Sequence, residues 1–244
     1  MNILVLGANG YLGPHVVKAL EDEHTLRLTD IKPVSNSLHE YIEVDFSDID
    51  AVIGAASGMD VIINLSVLRH DRQLAFDVSA RGAYNMMAAA VEHGIQRVIN
   101  TGPHFTIAGP SYERLDYEIG PDIPPQPGIN LYALTKSLGH EMCQIFTETH
   151  DIYVLNLLFY NFFDASDSSK YGQDVTPYAV TWSDAAEAFL PALTINLDNL
   201  RSRCESFYVF TDLPHGRFTN EKTKRVLGWQ PVNYLTPFWT KKPH

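Results

Sequence analysis

The segment Gly7-Ala8-Asn9-Gly10-Tyr11-Leu12-Gly13 constrains this chain more than any other, because it joins an apolar run, Asn2 to Leu6, directly to a helix-length stretch opened by Pro14. Gly7 permits a tight turn there. Gly10 lets the backbone approach a pyrophosphate with no Cβ in the way, and Gly13 allows close helix packing while the helix N-terminus faces phosphate charge. A strand, a phosphate-cradling turn and a helix are predicted in that order.

The rest of the first two thirds repeats this rhythm. Asn2 to Leu6, Thr25 to Thr29, Tyr41 to Val44, Val61 to Leu65, Arg97 to Asn100 and Tyr153 to Phe159 read as strands, with helices expected at Pro14 to Glu21, Ser47 to Ala56, Val78 to His93 and Leu131 to Thr149. Strands rich in Val, Ile and Leu without polar alternation are buried on both faces, which predicts a parallel sheet covered by helices. The fold class is therefore α/β, a Rossmann doubly wound sheet. Residues 1–161 are expected to form that nucleotide-binding part. Residues 162–244, with a polar stretch from Asp164 to Asp174, a helix at Ser183 to Thr194 and a short strand at Ser206 to Phe210, are expected to form a small substrate-covering cap.

Composition narrows the function classes. A net charge of -11 disfavours nucleic acid and anionic membrane surfaces, leaving a small molecule as the expected partner. Met1 to Leu6 is too short for a signal-peptide core, and no run approaches a membrane span, so a cytoplasmic protein is expected. Cys143 and Cys204 lack metal-site spacing and read as reduced thiols; no metal is expected.

Asp30 ends the second strand about twenty residues after the glycines, where a carboxylate accepts hydrogen bonds from an adenosine ribose. That selects NAD over NADP, since Asp30 would repel a 2'-phosphate; Lys32 nearby softens the preference. Ile31 belongs to the same wall. Asp45-Phe46 after the third strand fits an adenine-side contact or a helix cap, and Asn64-Leu65-Ser66 ends the fourth strand on the cofactor's other side. Tyr132-Ala133-Leu134-Thr135-Lys136 places a phenol and an ammonium on one helix face. A lysine beside a phenol favours phenolate, so the tyrosine can exchange a proton with a hydroxyl while hydride moves to or from a nicotinamide.

These residues, with Asn161 and the closing Leu227-Gly228-Trp229-Gln230-Pro231, resemble the extended short-chain dehydrogenase/reductase family, the NAD-dependent epimerase/dehydratase group. Within it the chain is similar to uronate dehydrogenases, in its short length, in Thr106-Ile107 and in Glu118 to Lys136. The resemblance implies Tyr132 as acid/base with Lys136 as its activator, and adds Val67, Ser79, Thr101 and Asn161 to the cofactor site. It implies a substrate side formed by Arg69, His104, Phe105 and Asn161. It also implies a homodimer through the Val78–His93 and Leu131–Thr149 helices.

Two departures qualify the resemblance. Members carry Ser or Thr after the fifth strand to orient the reacting oxygen, whereas Asn100-Thr101-Gly102-Pro103-His104-Phe105-Thr106 puts Pro103 and His104 there; His104, Thr101 or Thr106 are the candidate replacements. Uronate dehydrogenases also imply an arginine after the sixth strand, where Phe162 to Thr181 offers only Lys170, with Arg69 and His70 as other anchors. The aromatic run Phe159 to Phe163 reads as core ahead of pocket floor. The leading expectation is an NAD-dependent oxidoreductase acting on a hydroxyl of a sugar, sugar acid or related small molecule. The rivals are a nucleotide-sugar epimerase/dehydratase with tightly bound NAD and a non-catalytic dinucleotide-binding sensor or scaffold.

Overall fold

The computed structural model describes residues 1–34, 38–68, 70–112, 118–164, 166 and 175–240. Seven strands form one sheet: β1 (Asn2–Leu6), β2 (Thr25–Asp30), β3 (Glu40–Glu43), β4 (Val61–Asn64), β5 (Arg97–Pro103), β6 (Tyr153–Phe159) and β9 (Cys204–Tyr208). Their order is β3-β2-β1-β4-β5-β6-β9 and every pair is parallel. The order reverses between β1 and β4, which opens a crevice at the carboxyl ends of those strands.

Side-chain alternation explains why unbroken apolar runs are needed. Ile3 and Val5 of β1 enter one core with Val61 and Ile63 of β4, while Leu4 and Leu6 enter the other with Ile62. The first core is covered by α1 (Gly13–Leu20), α6 (Trp182–Glu187) and α7 (Phe189–Thr194) through Val16, Leu20, Ala185 and Phe189. The second is covered by α2 (Ile49–Ala56), α4 (Gly82–Glu92) and α5 (Leu131–Thr149) through Val52, Met86 and Cys143.

Several elements depart from the sequence expectations. The helix expected from Val78 begins earlier: Asp71 caps α3 (Arg72–Phe76) by accepting from the Leu74 amide, and a π-helical turn, Asp77–Arg81, carries the chain into α4. The helix expected over Ser183 to Thr194 divides at Ala188. Pro191 explains the break, since its ring and missing N–H disfavour a continued helix. A two-stranded parallel sheet, β7 (Asn161–Phe163) with β8 (Ala179–Thr181), was not foreseen.

The expected boundary at residue 161 does not divide the architecture, because β9 completes the main sheet and α6 and α7 pack on α1. The chain's end is fastened to the same layer. After α8 (Glu221–Leu227), Gly228 turns the chain at φ +72°, and the Trp229 indole donates to the Asp184 carbonyl at 3.0 Å. The Asp184 carboxylate, itself buried, accepts from the Val232 and Asn233 amides at 3.1 Å each.

Among the described residues no helix is long and apolar enough to cross a membrane. On the helices where dimerisation was expected, Tyr84, Val91, Leu138 and Ile145 are exposed apolar side chains.

Candidate active site

The crevice holds two adjoining cavities, of about 560 and about 120 Å³. They share Gly10, Leu65 and Val67 and so form one groove along the carboxyl edge of the sheet.

The glycine turn is built as its spacing requires. Gly7 has φ +77°, and a Cβ there would lie 2.7 Å from the Ser66 backbone; a Cβ on Gly13 would collide with the Ala8 carbonyl. Both positions exclude a side chain. Gly10, Tyr11, Leu12 and Gly13 line the larger cavity, and Gly7, Asp30, Ile31, Asp45, Phe46 and Ser66 line the smaller one. Asp30 is already oriented: Oδ2 accepts from the Asn9 amide at 3.0 Å and Oδ1 from the Lys32 amide at 3.2 Å. Asn9 thus contributes through its backbone and lines neither cavity. Asp45 accepts from the Ser47 amide and hydroxyl at 2.9 and 2.8 Å and lines the smaller cavity, while the N-cap of α2 is Asp48, so the helix-cap reading of Asp45 is corrected.

A ladder of buried asparagines sets the floor. Asn64 donates to Asn100 at 2.9 Å and Asn100 to Asn156 at 3.0 Å, each on an in-register pair of neighbouring strands. Asn64 also accepts from the Ser66 amide at 3.0 Å, and the Thr101 hydroxyl donates to the Asn64 carbonyl at 2.7 Å. Those ties fix two carbonyls, Ser66 and Thr101, that receive the Lys136 ammonium at 2.8 and 3.1 Å. Buried polar groups so paired hold a defined geometry. Asn130 caps α5 by accepting from the Tyr132 and Ala133 amides, which places Tyr132 in the first turn. Tyr132, Lys136 and Thr101 all line the larger cavity.

The opposite wall is aromatic. Phe159, Tyr160, Phe162, Phe163 and Trp182 line it together with Asn161, whose amide donates to Thr176 at 2.8 Å. The Phe159 to Phe163 run serves both as core and as pocket wall: all five residues line the cavity, Phe159 is part of the first core, Phe162 packs against it and Phe163 packs against a smaller cluster around Leu235 and Phe238. The ring of Trp182 is sandwiched between Phe162 (4.3 Å, 9°) and His15 of α1 (5.1 Å, 13°). Trp182 gave no separate sequence signal, because only the unforeseen β7–β8 pairing brings it to the cleft.

His104 does not reach the cleft. It is 1% exposed, packed among Phe105, Tyr160, Tyr178 and Phe218, and neither ring nitrogen has a hydrogen-bond partner among the described residues. Burial lowers its pKa well below the usual histidine value, so it is neutral and enclosed. The expectation of His104 as a catalytic or substrate-binding donor is overturned by that placement, and Pro103 takes its place on the cavity wall. Thr106 is fully buried as well. Phe105 lines neither cavity but stands edge-on to Tyr132 at 5.7 Å. Ser79 is also behind the wall: its carbonyl packs under Gly139 of α5, with Val78 beside it facing the smaller cavity. Exposed His70 lines neither cavity, and Arg69 and Lys170 lie outside the described residues.

His140, one turn beyond Lys136, presses Nε2 toward Gly102, and burial together with the lysine charge lowers its pKa to about 3. Among the described residues no cluster of His, Cys, Asp and Glu is arranged to hold a metal ion. The glycine cradle and the polar groups of the groove fit a dinucleotide, which the start of α1 and Asp30 would help to hold.

Comparison with known proteins gives a concordant picture. The model of the NAD dependent epimerase/dehydratase family matches residues 3–195. The NAD-dependent glucose-6-phosphate dehydrogenase of Haloferax volcanii is 24% identical over 260 residues, 97% of this chain and 95% of its own length. A uronate dehydrogenase of Pseudomonas putida is 27% identical over 161 residues, 64% of this chain and 59% of that protein. Among solved structures, a mutant of the Agrobacterium tumefaciens uronate dehydrogenase complexed with NAD superposes with a TM-score of 0.78 at 20% identity, over 94% of this chain and 84% of that one.

Proposed function

Because this chain belongs to the NAD dependent epimerase/dehydratase family, we propose that it is an NAD-dependent oxidoreductase that transfers hydride between the dinucleotide and a hydroxyl of a sugar, sugar acid or related small molecule. The observation that carries the reading is that Tyr132 and Lys136 line the same groove as the glycine turn and Asp30.

When bound, the dinucleotide supplies a nicotinamide that accepts or returns hydride. The chain's part is positioning and proton movement. Asp30 accepts from the adenosine ribose, and the N-terminus of α1 faces the phosphates. Lys136, pinned by the Ser66 and Thr101 carbonyls, keeps a positive charge within the cleft and favours the phenolate of Tyr132. Tyr132 then takes the hydroxyl proton of the substrate as an alcohol is oxidised, or returns it in reduction. The aromatic wall excludes water and offers flat faces to a carbon ring. The glucose 6-phosphate and uronate of the relatives' names support a substrate of one small ring.

The test is calorimetric titration with NAD, NADH and NADP, followed by steady-state absorbance at 340 nm with NAD and D-glucuronate, D-galacturonate, D-glucose, D-glucose 6-phosphate or myo-inositol. NADH formed from one of these compounds supports the reading. Tight NAD retention with turnover only of nucleotide sugars favours epimerase chemistry, and NAD binding with no turnover favours a sensor or scaffold.

A further inference from the structure

With Pro103 ending β5 and the enclosed His104 just after it, the reacting oxygen lacks the hydroxyl neighbour expected there. A second phenol stands in the cleft instead. Tyr160, in the link between β6 and β7, lines the same cavity as Tyr132, and its hydroxyl makes no hydrogen bond to another described residue. Both rings stand edge-on against Phe105, Tyr132 at 5.7 Å and 79°, Tyr160 at 4.9 Å and 74°. Phe105 thus contacts both phenols from behind the cavity wall, and the two distances cap the separation of their ring centres at 10.6 Å. Both phenols therefore border the space that a compact substrate would occupy.

The other hydroxyls near this point are committed or remote. Thr101 donates to the Asn64 carbonyl at 2.7 Å, Thr106 is fully buried, and Tyr11 sits 87% exposed on the phosphate-facing turn. Tyr160 itself is 41% exposed and held by ring contacts to Phe105, His104 and Tyr178. The enclosed imidazole therefore has a use: it supports the ring that replaces it in the cleft.

We propose that Tyr160 donates the second hydrogen bond to the reacting oxygen, in place of a serine or threonine after β5. The inference rests on the hydride-transfer reading. As a substrate alcohol is oxidised by NAD⁺, its C–H bond breaks with both electrons leaving as hydride to the nicotinamide, and its O–H proton passes to the Tyr132 phenolate. Tyr160 keeps its own proton throughout. Its hydrogen bond strengthens as negative charge develops on the oxygen, the kind of contact that accelerates the step by about 10²- to 10³-fold in other enzymes.

Tyr160→Phe tests this, because it removes the hydroxyl and keeps the ring against Phe105. With the compound that yields NADH, kcat is expected to fall about 100- to 1000-fold, KM for NAD to stay unchanged, and the primary deuterium isotope effect at the oxidised carbon to rise as hydride transfer becomes more limiting. Pro103→Ser in the Tyr160→Phe background is expected to recover part of the loss. Residue 103 lines the cleft in an extended conformation, φ −78° and ψ 155°, which serine adopts freely. Unchanged kcat and isotope effect in Tyr160→Phe, with Tyr132→Phe inactive, would overturn the role of Tyr160 and leave hydride transfer standing. No NADH from the wild-type protein with any compound would overturn both.

Discussion

The Lys136 ammonium, carried on α5, donates to the carbonyl of Ser66 just past β4 at 2.8 Å, joining that helix to the strand end beside the groove. Charge and position are thereby fixed together. Lys136→Met leaves the Ser66 and Thr101 carbonyls without their shared donor, each worth about 1–3 kcal/mol when buried. A lower Tm by differential scanning fluorimetry and NAD affinity reduced about tenfold or more are expected; an unchanged Tm with normal NAD binding would refute this role.

On the proposed reading, Asp30 sets the cofactor preference. Its two oxygens are already held by the Asn9 and Lys32 amides, so the carboxylate is ordered before any ribose arrives. Asp30→Ala is expected to weaken NAD about tenfold, the loss of one good hydrogen bond, and to strengthen NADP by removing charge repulsion. Calorimetry with both dinucleotides checks it, and a variant that keeps its full preference for NAD would count against Asp30.

Gly13→Ala probes the turn. The added Cβ meets the Ala8 carbonyl, which is backbone and has little room to yield. Destabilisation of about 1–3 kcal/mol in urea unfolding and loss of NAD binding are expected. Wild-type values on both measures would show that the turn is not as tightly built as described.

Stability should fall in mild acid. His140 has a folded pKa near 3, against an ordinary 6.5, so the unfolded chain binds more protons between those values. Stability from this residue is fully present above pH 6.5 and is lost progressively as pH falls toward 3. Between pH 7 and pH 5 the loss is about 2 kcal/mol for His140, and His104, whose pKa burial also lowers, acts in the same direction. His140→Gln should flatten the urea-unfolding profile over that range; a profile as steep as wild type would exclude it.

Much of this was legible in the sequence. Gly7 to Gly13, Asp30, Tyr132 and Lys136 could be placed because local rules govern them: glycines at a turn, an acid at a strand end, a pair four apart on a helix. The main strands followed from apolar runs, and β1, β6 and α5 have the very bounds expected of them. What escaped depends on long-range packing. Burial of His104 is decided by Tyr178 and Phe218, far along the chain, and neither carries a local signal. The aromatic wall needs β7 to pair with β8, which three-residue strands cannot announce. Ser79 was placed at the cofactor, yet the close approach of Gly139 turns it into a packing contact between helices.

The most direct measurement is rapid-mixing absorbance at 340 nm, with wild-type protein and Tyr132→Phe each loaded with NAD⁺ and mixed with the free sugars and sugar acids named above. The account predicts NADH formation in a single turnover of the wild type and a rate at least about 100-fold lower in the variant, with NAD affinity equal in both. Equal rates in the two proteins, or no NADH in the wild type despite bound NAD, would contradict it.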